Sequence, residues 1–157
     1  MRPATFVEGV LVVDLGLDVV DALTYCGRRP DPPSHPLFGQ GTAEWHFGLR
    51  APGAGERVVV LAVPHDVLPE MAHAIAGQGA PPTGTVALHT AGALGPDVLA
   101  PLHAVGYSVG TLHPLQPVLH PVFGADRLAG SGFLVTGEPP ARAVAQRWVA
   151  ALDGHVL

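Results

Sequence analysis

The 157-residue sequence contains no lysine: all eight of its basic residues are arginine, and only Arg28 and Arg29 are adjacent. Without a basic stripe it lacks the electrostatic footprint that a phosphate backbone requires, so nucleic acid is not an expected partner. Cysteine is nearly absent. The single Cys26 rules out an internal disulfide, and no Cys-x-x-Cys metal motif occurs. No apolar run reaches the ~20 residues of a membrane-spanning helix. The longest candidate, near the N-terminus, is interrupted by Glu8, Asp14, Asp18 and Asp21. No membrane partner is expected, and the expected compartment is reducing and cytoplasmic.

What is abundant is apolar side chain, glycine and proline. Hydrophobic residues make up 48% of the chain against 13% charged, with a formal net charge of -5, which is enough apolar surface to form a core rather than a disordered coil. The 20 glycines and 17 prolines form neither a G-X-Y period nor a tract, so they punctuate folded elements. The length suits one domain, since domains cluster at roughly 100–150 residues.

From residue 57 the pattern repeats. Arg57 to Val63 is a continuous β-branched run, as expected of a strand buried on both faces. Val67, Leu68, Met71, Ala72 and Ile75 follow at helical spacing, with Asp66 as the expected N-cap. Thr85–His89 reads as a strand, Pro96–Ala104 as a helix, and Tyr107–Leu112 as a third strand. Gly132–Thr136 reads as a fourth, and Ala141–Leu152 as a final helix closed by Gly154. Alternation of this kind predicts an α/β fold with a mainly parallel sheet and flanking helices. Ligands of such sheets bind at the carboxyl ends of the strands. That places Val63-Pro64-His65, His89-Thr90-Ala91-Gly92 and His113-Pro114-Leu115-Gln116 on one rim.

Upstream, Ala22–Cys26 reads as a strand ending in Gly27-Arg28-Arg29, and residues 30–41 as a proline- and glycine-rich loop. Phe6, Val10, Val13, Leu17 and Val20 recur at spacings of 4, 3, 4 and 3, with the aspartates on another face. This predicts an amphipathic helix over Val7–Val20. The rival, a strand at Val10–Val13, leaves only residues 14–21 for a connection to the next strand. A parallel crossover needs about a dozen residues or more.

The segments Val60-Leu61-Ala62-Val63-Pro64, Leu88-His89-Thr90-Ala91-Gly92-Ala93, Gly110-Thr111-Leu112-His113-Pro114-Leu115-Gln116 and Gly132-Phe133-Leu134-Val135-Thr136-Gly137, in that order, resemble a family of oxidoreductases with a Rossmann-like domain followed by a helical domain (DUF2520). The resemblance covers roughly Ala22 to Leu157, and the family is similar to pyrroline-5-carboxylate reductase and prephenate dehydrogenase. It implies NAD(P)-dependent hydride transfer on an unidentified small-molecule substrate. Two departures from the family pattern stand out. The G-x-G-x-x-G-like loop that would cradle a pyrophosphate is missing, since Gly9 and Gly16 are isolated. The sequence also stops at Leu157, about where the helical domain, which completes the family's cleft and dimer, would begin. The expectation is therefore a single, incomplete Rossmann-like domain over 1–157 that lacks the family's first strand. An edge or gap would then lie where the sheet's centre should be, and homodimerisation is left open.

The resemblance also implies roles. Arg28 and Arg29, standing where an acidic residue would hold the ribose hydroxyls of NAD, suit the 2′-phosphate of NADP; otherwise they are two solvated turn residues. Val63 and Pro64 would lie beside the adenosine, or simply end a buried strand. Thr90 and Gly92 would line the cofactor cleft, with Gly92 permitting close approach or forming a turn. His89 and His113 are the expected catalytic pair, orienting substrate. A neutral imidazole of pKa ~6.5 can hold or protonate a carbonyl oxygen, whereas the plainer alternatives are a satisfied core histidine and a loop brace. His65 is given no role. Nine histidines invite a metal, but no H-x-x-x-H pair occurs and His113 and His120 are seven apart, so no metal is expected. Ser108 and Ser131 lack a nucleophile-elbow context, and Cys26 reads as packing. Two functions compete: an NADP-dependent oxidoreductase domain, or a non-catalytic, truncated remnant serving as a protein-interaction scaffold. A binding module for some other small molecule is a third, weaker reading.

Overall fold

A computed structural model describes residues 9–15, 20–41, 43–117 and 125–157. Its centre is β4 (Val58–Ala62), in which Val58 to Leu61 are each at most 1% exposed. A strand this apolar on both faces needs cover on both, and the helices supply it. α2 (Leu68–Ala76) carries β4 to β5 (Val86–His89). A 3-10 turn (Pro96–Leu99) running into α3 (Ala100–Ala104) carries β5 to β6 (Ser108–Pro114). Both crossovers return the chain parallel, with Leu61 opposite His89 and His89 opposite Thr111. β7 (Gly132–Gly137) then pairs antiparallel with β6, and α4 (Pro139–Ala151) leads to β8 (His155–Val156), parallel to β7.

Successive strand residues point to opposite faces, which divides the core in two. Val58, Val60, Val86, Leu88, Leu112, Phe133 and Val135 meet Ala141, Val144, Ala145 and Val149 of α4 on one face. Val59, Leu61, Ala87 and Val109 meet Leu68, Ala72 and Ile75 of α2 and Leu99 and Leu102 on the other. The expected strand and helix alternation from residue 57 onward is therefore present, with small changes at its ends. Val67 rather than Asp66 occupies the cap position of α2, and no side chain caps it; the Val67 and Leu68 amides donate to the Pro64 carbonyl at 3.1 and 3.2 Å. At the end of α4 the left-handed residue is Asp153 (φ 51°), not Gly154. Gly154 follows it and donates its N–H to the Val149 carbonyl at 2.9 Å, the six-to-one bond of a Schellman ending.

The amino-terminal third departs from expectation. The helix expected over Val7–Val20 is replaced, within the described residues, by β1 (Gly9–Leu15), which forms an antiparallel pair with β2 (Val20–Gly27). The crossover objection to a strand applies only to parallel neighbours; an antiparallel pair needs no crossover, and Leu15 stands opposite Val20. β1 also pairs antiparallel with β4, Val12 opposite Val59. The expected gap at the centre of the sheet is thus filled by a strand running the opposite way. After β2 come a one-turn helix, α1 (Pro36–Gly39), and an unforeseen edge strand, β3 (Glu44–Phe47), parallel to β2. The sheet order is β3-β2-β1-β4-β5-β6-β7-β8. Five strands, β2 to β6 without β1, run one way and the other three run against them.

Leu102 is fully buried between α3 and the sheet. Its replacement by alanine should lower the unfolding free energy by about 2–5 kcal/mol in urea titration, since the cavity it leaves sits between a helix and a rigid strand face.

Candidate functional site

Because β2, β4, β5 and β6 run in the same direction, their carboxyl ends lie on one edge of the sheet. The topology thus spreads the eight residues expected to form the site along this edge: Arg28 and Arg29 beyond β2, Val63 and Pro64 beyond β4, His89, Thr90 and Gly92 at the end of β5, and His113 near the end of β6. β2 and β5 are three strand spacings apart, about 14 Å, a span that an extended dinucleotide covers. Exposure varies along this edge: Arg28, Arg29, Pro64 and Gly92 are exposed, Val63, Thr90 and His113 half-buried, and His89 wholly buried.

The two histidines do different things. At His89, Nδ1 accepts the Ala91 N–H at 3.2 Å while Nε2 faces the Gly95 carbonyl at 3.1 Å. A carbonyl only accepts, so Nε2 carries the proton and the ring is the neutral tautomer. Burial holds its pKa below the ordinary histidine value, outweighing the Gly95 carbonyl bond that favours the charged form; His65 and His113 add to the lowering and Asp97 opposes it. With both nitrogens occupied, His89 braces the turn over residues 90–95.

At His113, Nδ1 faces the Thr90 carbonyl at 2.8 Å and so carries the proton. Nε2 takes no part in that bond. The imidazole lies directly on Gly92, where a Cβ would come within 2.3 Å of Nε2. Only glycine leaves room for the ring. Thr90 is held from both sides, its N–H donating to the Leu61 carbonyl at 3.4 Å and its own carbonyl accepting from His113. Within the sheet behind, Thr111 and Thr136 share a hydroxyl contact of 2.9 Å. The strand thus extends two residues beyond the expected Leu112, and His113 stands on a rigid element opposite Leu134 rather than in a loop.

Sequence reading overlooked the far end of the edge. Trp45 donates its indole N–H to the Arg29 carbonyl at 3.0 Å. Arg50 forms a two-pronged pair with Glu56, one prong at 2.6 Å, and the same carboxylate accepts the Gly53 N–H, which orders the connection between β3 and β4. Arg50 holds the Glu56 carboxyl below its ordinary pKa. Nearby, burial pushes the Cys26 thiol up, against the opposing charge of Arg50, consistent with its expected packing role. The signal that could have found Trp45 was its spacing from Gly27 across two strands, which requires knowing that β3 exists.

A separate open groove of about 540 Å³ lies between Pro96, Asp97, Ala100 and His103 on one side and Val109, Gly137 and Glu138 on the other. Glu138 is held there by the Val109 N–H at 2.8 Å and faces His103 at 3.3 Å. None of the expected site residues lines it. Among the described residues no three His, Cys, Asp or Glu side chains are grouped to hold a metal ion, and no helix is long and apolar enough to cross a membrane.

Beyond β2 this edge carries two exposed arginine side chains, and beyond β5 and β6 the His113 imidazole lying on Gly92. Among the described residues it holds no pyrophosphate cradle. β1 ends on the opposite edge, and the first amides of α2 are turned onto the Pro64 carbonyl.

The pKa of His89 has a consequence for stability. A group whose folded pKa lies below its unfolded value binds more protons when unfolded, so stability is full above the unfolded value of about 6.5 and falls as pH drops below it. Urea unfolding at pH 7.5 and pH 5 should therefore show a loss on acidification that is smaller in His89→Gln, by up to about 1.4 kcal/mol per pH unit. Equal losses in both proteins would mean that folding does not lower the pKa of His89.

A family model described as a Rossmann-like domain matches residues 48–114. That segment holds β4 to β6 with Val63, Pro64, His89, Thr90, Gly92 and His113, whereas Arg28 and Arg29 precede it. No curated protein matches the chain. The matched segment and the α/β sheet built around it give the chain a Rossmann-like fold, one that commonly binds nucleotide cofactors at the carboxyl edge described here.

Proposed function

We propose that the chain is the cofactor-binding domain of an NADP-dependent oxidoreductase. The observation that carries this reading is the His113 imidazole, seated on Gly92 with Nδ1 bound to the Thr90 carbonyl, at the carboxyl edge of the parallel strands. NADP bound along this edge would supply the hydride. The protein's own contribution divides by position. Arg28 and Arg29 hold the 2′-phosphate by charge-assisted hydrogen bonds, a geometry that guanidinium serves better than ammonium. Val63, Pro64 and Thr90 form the wall, and Gly92, having no side chain, lines the cleft while seating the His113 imidazole. His113 contacts the substrate oxygen through Nε2 and, when protonated there, donates to it. His89 acts through the turn it braces, fixing Thr90 and Gly92 beneath His113. The resemblance to oxidoreductases with a DUF2520 helical domain supports the same reading. The substrate is a small molecule with a reducible carbonyl or imine.

A second reading, a non-catalytic protein-interaction scaffold, is favoured by the reversed direction of β1, which leaves no glycine loop and helix facing the pyrophosphate among the described residues. Fluorescence titration with NADPH and NADH separates the two. Saturable binding with NADPH preferred is expected, and Arg28→Ala combined with Arg29→Ala should weaken NADPH about tenfold or more while leaving NADH unchanged. Absence of saturable NADPH binding below millimolar concentration selects the scaffold.

A further inference from the structure

We propose that Trp45 is a positioning residue that holds the Arg28-Arg29 turn and thereby sets the preference for a ribose carrying a 2′-phosphate. The proposal deepens the reading of the carboxyl edge as an NADP site and rests on it. Trp45 stands on β3 opposite Tyr25, two pairs short of the end of β2. Its ring crosses the sheet diagonally onto Gly27, where a Cβ would lie 1.9 Å from Cη2 and 2.2 Å from Cζ2. The indole thus occupies the space of the missing side chain. From that seat Nε1–H reaches the Arg29 carbonyl at 3.0 Å.

Behind it, Phe38 meets the indole edge-to-face at 5.5 Å and 84°, and Tyr25 meets Phe38 at 5.4 Å and 77°. Tyr25 is 2% exposed. A continuous stack of rings therefore runs from the core to the backbone of the arginine turn. The Gly48 N–H, donating to the Gly27 carbonyl at 2.8 Å, ties the same turn to the chain leaving β3.

The combination is more than filling. Phenylalanine would occupy most of the same seat, but only an indole has a ring N–H to reach the carbonyl, and only glycine at 27 admits it. Among the described residues the guanidinium groups of Arg28 and Arg29 make no hydrogen bond or ion pair, and both side chains are exposed. Their backbone, by contrast, is fixed. Holding the turn before ligand arrives removes part of the ordering cost of gripping a phosphate with two long side chains. A 5′-phosphorylated adenosine without a 2′-phosphate has no use for that turn and should not sense its loss.

The test is calorimetric titration of adenosine 2′,5′-bisphosphate and of 5′-AMP into the wild type, Trp45→Phe and Gly27→Ala. Trp45→Phe keeps a ring and removes the donor; Gly27→Ala keeps the donor and displaces the ring. The wild type is expected to prefer the bisphosphate, and each variant to lose about fivefold of that preference with 5′-AMP binding unchanged. An unchanged ratio in both variants, or an equal loss of both ligands, overturns the role of Trp45 while leaving the NADP reading standing. A wild type with no preference for the bisphosphate overturns both.

Discussion

Four consecutive residues of β4, Val58 to Leu61, are sealed from water on both faces of the sheet, and the rest of the architecture follows from keeping them so. A side chain such as leucine gains about 1.5–3 kcal/mol on full burial, but a strand with apolar residues on both faces collects it only if each face is covered. α2 and α3 cover one and α4 the other. Because the covering elements lie between the strands in sequence, each crossover must return the chain parallel. Parallel return is what sends the ends of β4, β5 and β6 to a single edge. The site is in this sense a by-product of burial.

On that edge, hydrogen-bond accounting assigns the roles. His89 and His113 look equivalent as strand-end histidines, yet the turn engages both ring nitrogens of His89 and only one of His113. The difference arises from which backbone groups the turn over residues 90–95 leaves nearby: an amide and a carbonyl around His89, one carbonyl beside His113. A buried imidazole between an amide and a carbonyl is kept neutral, since charging it would leave the Ala91 N–H facing another donor. The braced turn in turn presents Gly92 as the floor under His113.

The legible part of the fold was the part whose pattern is local. The β-branched run at 57–63 and the apolar spacing at 67–76 announce their elements with no knowledge of neighbours. The misreading of residues 7–20 has an equally physical origin. Val10 and Val13 fit the helical spacing while Val10 to Val13 together have strand propensity, and the choice is made by hydrogen-bonding partners on both sides, β2 and, far along the chain, β4. β3 was illegible for the same reason: four residues, with only an edge position to define them.

By itself, the sequence determined the class of fold, the run of strands and helices from β4 onward, and the identity of the residues available at the strand ends, because these depend on side-chain volume, branching and periodicity along the chain. Tertiary structure alone decided the direction of β1, the tautomers of His89 and His113, and the seat of Trp45 on Gly27. Each of these depends on a carbonyl, an amide or an empty side-chain position supplied by a residue elsewhere in the chain or in the turn it forms. Such partners exist only once the sheet has been assembled.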